Sequence, residues 1–473
     1  MFLRQIFDSH LSQYSYLIGC QRTGEAIVID PERDIDRYGA VAAEEGLRLT
    51  AVAETHIHAD FVSGARELAA DPTVRAYVSA EGGPDWQSQW ARGASNVTLL
   101  QDGNFFNIGK IQFQALHTPG HTPEHLVYLV TDIGGGANEP MALLTGDFMF
   151  VGDVGRPDLL EQAAGLTGTQ EAAARQLYAS LRRVADLPCH LLVLPAHGAG
   201  SACGKAIGSV PLSTFGYQAK FNPSFKLAVD GTEEDFVKVI LSGQPEPPAY
   251  FTNMTRVNKV GPAVLGKLPQ PRQMNLDEIS ARLDEANFVV LDTREDRAVF
   301  LAWHLRGSLF VPAAKFSDFA GSYLAPDNEI VLVVEELADA DEFVRQLVRI
   351  GFDHIVGVIL VSAIATAPES AAKGTRSVTF AEVPALLASA AQRRVLDVRS
   401  ATDFSEAHLQ GAQNIPHTRL RPRLDEVPSD LPLLVHCASG LRAAGACAFL
   451  ERRGREVLCI ADAFKNTPRS LLA

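Results

Sequence analysis

No two cysteines in this 473-residue chain are spaced C-x-x-C, although six are present: Cys20, Cys189, Cys203, Cys437, Cys447 and Cys459. That spacing excludes the usual structural zinc knot, and in a reducing compartment the thiols stay free. Long apolar runs are also missing. The longest, IVGVILVSAIATA (355–367), falls short of the ~20 residues needed to cross a bilayer. The N-terminal stretch MFLRQIFDSHLSQYSYLIGC has no apolar core or cleavage site of a signal peptide and alternates like a strand. The expectation is a cytoplasmic protein. Positive charge is not in excess either: the formal net charge is −14. That argues against nucleic acid or an anionic membrane as the main partner, and leaves small anions in local basic pockets.

What is there fits ordinary globular domains, with 47% hydrophobic and 21% charged residues, so each domain can bury a normal core. At ~100–200 residues per domain the length suggests two to four. Residues 1–245 alternate short β-rich runs with glycine-rich loops, up to the proline-rich SGQPEPPAYF; GKLPQPRQ follows, which marks 246–272 as a linker. From Gln273 the chain repeats itself. VVLDTRED (Val289–Asp296) matches RVLDVRSA (Arg394–Ala401), and HLRGSLFVP (His304–Pro312) matches HLQGAQNIP (His408–Pro416). Two α/β copies with parallel, helix-covered sheets are expected, at 273–366 and 375–473, joined by APESAAKGTRS (367–377).

Four pieces of the first domain carry metal-binding residue types: THIHADF (Thr55–Phe61), HTPGHTPEH (His117–His125), LLTGDFMF (Leu143–Phe150) and LPAHG (Leu194–Gly198). One HxH is weak evidence, because a lone histidine is more often a packed residue than a ligand. Four pieces in this order are far more specific. His117 and His125 flank His121, but Pro119 and Pro123 break the loop, so helical spacing has no meaning there.

In the second repeat, VHCASGLRAAG (Val435–Gly445) places Cys437 between a strand and a helix. The pattern C-x-x-G-x-R lets successive N–H groups point inward as an anion nest, to which the helix N-terminus and Arg442 add positive charge. Such a loop favours thiolate and would hold a persulfide or sulfite. In the first repeat, aligning VLVVEELADA with LLVHCASGLR puts Glu335 opposite Cys437, and the loop glycine and arginine are gone. Copy one thus lacks the thiol and its nest, and is expected to be catalytically dead, a spacer or a docking platform. Cys203, in GSACGKA, is a second candidate thiol, expected to be accessible and somewhat acidified by its glycines and Lys205.

The four metal-type motifs resemble the metallo-β-lactamase fold, an αββα sandwich whose loops meet at one edge. Within it the first ~225 residues, including GRPD (Gly155–Asp158), look like the persulfide dioxygenases, mononuclear non-haem iron enzymes that oxidise a thiol persulfide to sulfite. Both repeats resemble the rhodanese sulfurtransferases. The fold class implied is multidomain: an αββα sandwich plus two rhodanese domains. By the resemblance, His56, His121 and Asp147 would hold one Fe(II) per chain, a set that also accepts zinc or manganese. His58, Asp60 and His197 would orient ligands and waters around it. Arg156 would steady a loop or hold an anionic substrate. Cys437 takes the place of the rhodanese nucleophile, with Ala438, Ser439, Gly440, Leu441 and Arg442 as its cradle. Asp397 and Arg399 would be structural, with Arg399 a candidate partner for Asp403.

Phe61 stands where two-metal hydrolases of the fold carry a histidine. A phenyl ring cannot ligate and makes a second site drier, which points to one metal. The activity implied is oxidation of a low-molecular-weight thiol persulfide by O₂ to sulfite, coupled to sulfur transfer that makes thiosulfate. Two rivals stand beside it: a zinc-dependent thioester hydrolase of the glyoxalase II type with accessory rhodanese domains, and a non-enzymatic sulfur sensor. The repeat surfaces leave a homodimer open.

Overall fold

The computed structural model describes residues 1–164, 168–388 and 392–473. Two compact units divide the chain, Met1–Lys267 and Leu268–Ala473. Among the described residues no helix is long and apolar enough to cross a membrane.

The first unit is built on two six-stranded sheets. One runs in chain order through Phe2–Asp8, Gln13–Cys20, Glu25–Ile29, Arg48–Ala53, Arg75–Ser79 and Val97–Leu100. Its first three strands are antiparallel hairpins and the rest are parallel. The other runs Ser213–Thr214, Leu192–Pro195, Ala142–Gly146, Leu126–Thr131, Ile111–His117 and Phe105–Ile108. Alternate residues of the two inner faces interlock: Tyr16, Ile18, Ile27 and Ile29 from one, and Phe113, Ala115, Tyr128 and Val130 from the other. The period-two pattern decides which residues enter this core, and each large apolar side chain buried there contributes about 1.5–3 kcal/mol. The sandwich has a consequence for the motifs: each of the four sits at the end of one of these strands and runs into the adjoining loop.

The segment expected as a linker, 246–272, is structured instead. Phe251–Val260 is a helix whose buried residues are Phe251, Met254, Thr255 and Asn258. These positions follow the i, i+3, i+4, i+7 rule of one helix face. The compact unit therefore runs on to Lys267 rather than stopping at 245.

The second unit holds both repeats, each with a five-stranded sheet of the same order. Copy one runs Arg272–Gln273, Ile355–Leu360, Glu329–Val334, Phe288–Asp292 and Leu309–Phe310. Copy two runs Ser377–Val378, Val457–Ile460, Leu433–His436, Arg394–Asp397 and Gln413–Asn414. All pairings in both are parallel. The connection between the copies is not a loose linker: Ala372–Lys373 pairs antiparallel with His304–Leu305, and Thr375 N–H donates to Leu301.

The copies also pack on one another through the helix Leu441–Arg452, which begins at the Cys437 loop. Arg452 donates to the carbonyls of Gly307 (3.0 Å), Phe288 (2.8 Å) and Ala286 (3.1 Å) in copy one. Gly445 permits the close approach, since a Cβ there would lie 2.7 Å from the Phe319 ring and 3.1 Å from the Tyr323 hydroxyl. Gly445→Leu is therefore expected to overpack this contact and cost about 1–3 kcal/mol. A lower urea midpoint for the second unit, at unchanged slope, checks it.

Candidate metal centre and thiol loop

His56, His121 and Asp147 are all buried, and one ligand atom from each lies within 4.8 Å of the others. His56 comes from the loop after Arg48–Ala53, His121 from the loop before Leu126–Thr131, and Asp147 from the end of Ala142–Gly146. Each imidazole is oriented through its far nitrogen. His121 Nδ1 lies 3.1 Å from the Arg156 carbonyl, which can only accept. His56 Nδ1 lies 3.0 Å from Thr55 Oγ1, whose own proton goes to Asp30 Oδ2 at 2.9 Å. Both rings thus carry the proton on Nδ1 and turn an Nε2 lone pair inward. Burial holds both imidazoles below their ordinary pKa, so neutral, ligand-ready rings are favoured.

Asp147 has both carboxylate oxygens buried without a hydrogen-bond partner. Burial alone would raise its pKa, but His197 and His121 overcome that and hold it well below the usual carboxylate range. An ionised carboxylate with two unmet oxygens, beside two inward lone pairs, is a donor set that a dication satisfies. His125 is not part of it: its Nε2 accepts the Asp147 N–H at 3.2 Å and its ring sits against Thr118 Oγ1 at 3.1 Å. His117 is spent on the Pro123 carbonyl at 2.8 Å.

The three flanking residues expected from sequence divide into two groups. His58 turns away from the cluster, with Nε2 at 3.0 Å from Glu54 and 3.2 Å from Asp30. Burial disfavours its charge, but the two carboxylates outweigh burial and raise its pKa. Phe61, fully buried, covers it with ring centroids 4.3 Å apart. Asp60 and His197 face the cluster: His197 Nε2 lies 3.3 Å from both Asp60 Oδ2 and Asp147 Oδ1 without hydrogen-bonding geometry.

Cys203 joins Asp60 and His197 in a second buried group of ligand types. The expectation of an accessible, acidified thiol is not met. Cys203 is 1% exposed and its thiol is pushed up to about 12, by burial first and then by Asp147. Lys205 does not help it, since its ammonium caps the carbonyls of Val239 (2.7 Å) and Ser242 (2.8 Å). Arg156 is 1% exposed and spends four of its five N–H donors inside the fold: its guanidinium chelates Asp158 and donates to Ala202 and Pro245. Its main work is to clamp loops together.

Sequence reasoning missed Asp30, Glu54 and Glu124, which lie under the metal loop. Glu124 accepts the Ile57 N–H at 2.7 Å, and burial pushes its carboxyl up to about 7.

In copy two, Cys437 is buried at the end of Leu433–His436, and its Sγ accepts from Gly440 N–H (3.1 Å) and Ala443 N–H (3.4 Å). Gly440 has φ +88°, which turns the loop into the helix; a side chain there would be strained. Ala438 and Ser439 are exposed, Leu441 and Arg442 half-buried. Arg399 does not pair with Asp403. It folds back on Asp397 (2.6 Å), and Arg442 is the neighbour of Asp403 at 3.7 Å. Copy one repeats the hairpin, with Arg294 on Asp292 at 2.6 Å. The ladder corrects one alignment. Asp397 pairs with His436 and Asp292 with Val333, so buried Val334, not Glu335, occupies the place of Cys437. The conclusion that this copy lacks a thiol is unchanged.

An αββα sandwich with a buried two-imidazole, one-carboxylate cluster at its loop edge defines a metallo-β-lactamase-type metal domain, here followed in the chain by two copies of a parallel-sheet α/β module. Residues 9–197 match the metallo-beta-lactamase superfamily and residues 379–467 the rhodanese-like domain. A solved metallo-beta-lactamase from Staphylococcus aureus subsp. aureus COL is 38% identical, with a TM-score of 0.67, over 76% of this chain and 98% of that one. The mitochondrial persulfide dioxygenase ETHE1 of Bos taurus is 29% identical over 50% of this chain and 80% of its own length. A hydroxyacylglutathione hydrolase from Francisella tularensis subsp. novicida is 30% identical over 41% of this chain and 66% of its own. The chain belongs to the metallo-β-lactamase superfamily as a fusion, its first unit homologous to persulfide dioxygenases and its C-terminal copy a rhodanese-like domain.

Two outcomes follow from these environments. Arg156→Ala strips a buried ion pair and is expected to cost about 3–5 kcal/mol in denaturant unfolding. His436, which precedes Cys437, is held neutral by burial, with its pKa lowered to about 4. The folded state therefore binds fewer protons than the unfolded one between pH ~6.5 and ~4. Stability should fall as pH drops through that window, by about 3 kcal/mol, and His436→Phe should flatten the dependence measured by urea unfolding.

Proposed function

We propose that the first unit is a mononuclear iron persulfide dioxygenase and that copy two is a sulfurtransferase which converts its product to thiosulfate. The observation that carries the first half is the donor set of His56, His121 and Asp147, with a fully buried phenyl ring at the position of a second-metal histidine. Two imidazoles and a carboxylate leave open positions on one side of the ion. Held there, Fe(II) would supply the one-electron chemistry that O₂ requires. The overall change is R–S–SH + O₂ + H₂O giving R–SH + SO₃²⁻ + 2H⁺.

The protein's own groups do the remaining work. Thr55 and the Arg156 carbonyl keep the ring protons on the outer nitrogens. His125, by accepting the Asp147 N–H, fixes the carboxylate's backbone. Burial keeps bulk water from the donor atoms.

In copy two, the Cys437 thiolate attacks the outer sulfur of a persulfide and releases R–S⁻, giving Cys437–S–SH. Sulfite then attacks that sulfur after its proton has left: Cys–S–S⁻ + SO₃²⁻ gives Cys–S⁻ + S₂O₃²⁻. The N–H groups of Gly440 and Ala443 stabilise the sulfur anion at both ends of the cycle. Arg442 lies beside the loop to attract the oxyanion. The biological role inferred is disposal of sulfide and sulfane sulfur. Thioester hydrolysis is the second reading, favoured by the unmet atoms of Asp60 and His197 and opposed by Phe61.

Oxygen uptake by Fe(II)-loaded protein, after addition of a small-thiol persulfide, tests the scheme beside a zinc-loaded sample. Many turnovers with iron and none with zinc are expected. His121→Ala should abolish uptake. Cys437→Ser should leave uptake and sulfite release intact while thiosulfate disappears. Hydrolysis of a thioester by the zinc form, with no uptake by the iron form, would replace the first half of the scheme.

A further inference from the structure

The loop Thr55–Gly64 carries His56 but makes little regular secondary structure of its own. Its backbone is held by three buried side chains from elsewhere in the first unit. Asp30 accepts the Thr55 N–H at 2.7 Å, and Glu124 accepts the Ile57 N–H at 2.7 Å. The third is Asn258. Its Nδ2 donates to the His58 carbonyl (2.8 Å) and the Phe61 carbonyl (2.7 Å), and its Oδ1 accepts the Ser63 N–H (2.9 Å). Asp30 and Glu124 fix the front of the loop; Asn258 alone of the three fixes its back half.

We propose that Asn258 is a positioning residue for the metal centre, and that the metal-binding unit is complete only with the helix Phe251–Val260. The inference rests on the metal reading above. Asparagine is the side chain the place requires: two carbonyls need two donors, one N–H needs an acceptor, and an amide offers all of these. Aspartate would set a carboxylate against two carbonyls. The bond to Ser63 also extends inward, because Ser63 Oγ donates to Glu54 at 2.5 Å and Glu54 holds His58 at 3.0 Å. One amide thus organises the backbone from 58 to 63 and the carboxylate that keeps His58 out of the cluster. Metal-supporting groups must hold ligands within ~0.5 Å of productive geometry, and a hinge at this point would free Asp60 and loosen His56.

The chain that leaves the C-terminal end of this helix is tied down as well. Arg66 donates to Gly261 (2.8 Å) and Pro262 (2.9 Å), and Glu67 accepts from the N–H groups of Leu265 (2.9 Å) and Gly266 (2.6 Å). Arg66 and Glu67 belong to the short helix that follows the metal loop. The metal loop and the short helix after it therefore hold both Asn258 and the chain just beyond it.

The test uses the full chain and Co(II), whose visible absorption reports ligand geometry, in competition with a chelator. Asn258→Ala and Asn258→Asp are expected to weaken Co(II) binding about 10–100-fold and to shift the absorption bands. Met254→Ala, which removes packing from the same helix but leaves the three hydrogen bonds, should keep both within two-fold of wild type. If Asn258→Asp does not fold, Asn258→Ala and Met254→Ala still decide. Equal affinity and spectrum in wild type and Asn258→Ala, or an equal loss in Met254→Ala, would overturn the role of Asn258 while leaving the metal reading intact. A wild-type chain that takes up no Co(II) would sink the metal reading, and this inference with it.

Discussion

Two imidazole lone pairs can face one carboxylate in a dry place only if the opposite nitrogen of each ring has somewhere to put its proton. The fold of the first unit supplies those acceptors. The Arg156 carbonyl does so for His121, and Thr55, backed by Asp30, does so for His56. Each acceptor is itself fixed by something that packs or pairs. Arg156 is nailed through Asp158, Ala202 and Pro245, while Asp30 directly follows the strand Glu25–Ile29 and also takes the Thr55 N–H. The metal-binding geometry is thus the last layer of an arrangement that begins with strand ends meeting at one edge of a sandwich.

The second unit meets a similar demand with different means. A sulfur anion needs N–H groups that converge, and a strand-to-helix turn around a left-handed glycine provides them. That turn is placed by the helix behind it, and the helix is gripped by the copy that has no thiol, through Gly445, Phe319 and Arg452. The copy without a thiol is thereby a packing partner of the copy that carries Cys437.

Much of this was legible in the amino-acid order. The four metal-type motifs are local signatures whose residues must meet if the strands pair as α/β sandwiches do, and the duplicated LDxR and HLxG segments gave away the second unit. Four features were hidden for physical reasons. The helix at Phe251–Val260 follows a proline-rich stretch, and its apolar spacing was masked by that break. The burial of Cys203 depends on how the loop after Ala196 folds back against His197, which no local pattern encodes. The choice between Val334 and Glu335 is a one-residue register, and only the ladder between neighbouring strands fixes it. Likewise the partner of Asp403 changed because Arg399 is claimed by Asp397 two residues before it, a hairpin used in both copies.

That hairpin has a wider meaning. Copy one keeps the Asp292–Arg294 pair, the sheet order and the packing of copy two, yet the stretch that would be its sulfur loop, 335–339, is exposed and acidic. The scaffold and the chemistry of this module are separable: one can be inherited without the other. Residues 335–339 are accordingly the part of the second unit most open to drift, insertion or grafting. A foreign binding loop placed there would sit at the end of a central strand, on a body already packed against its Cys437-bearing twin.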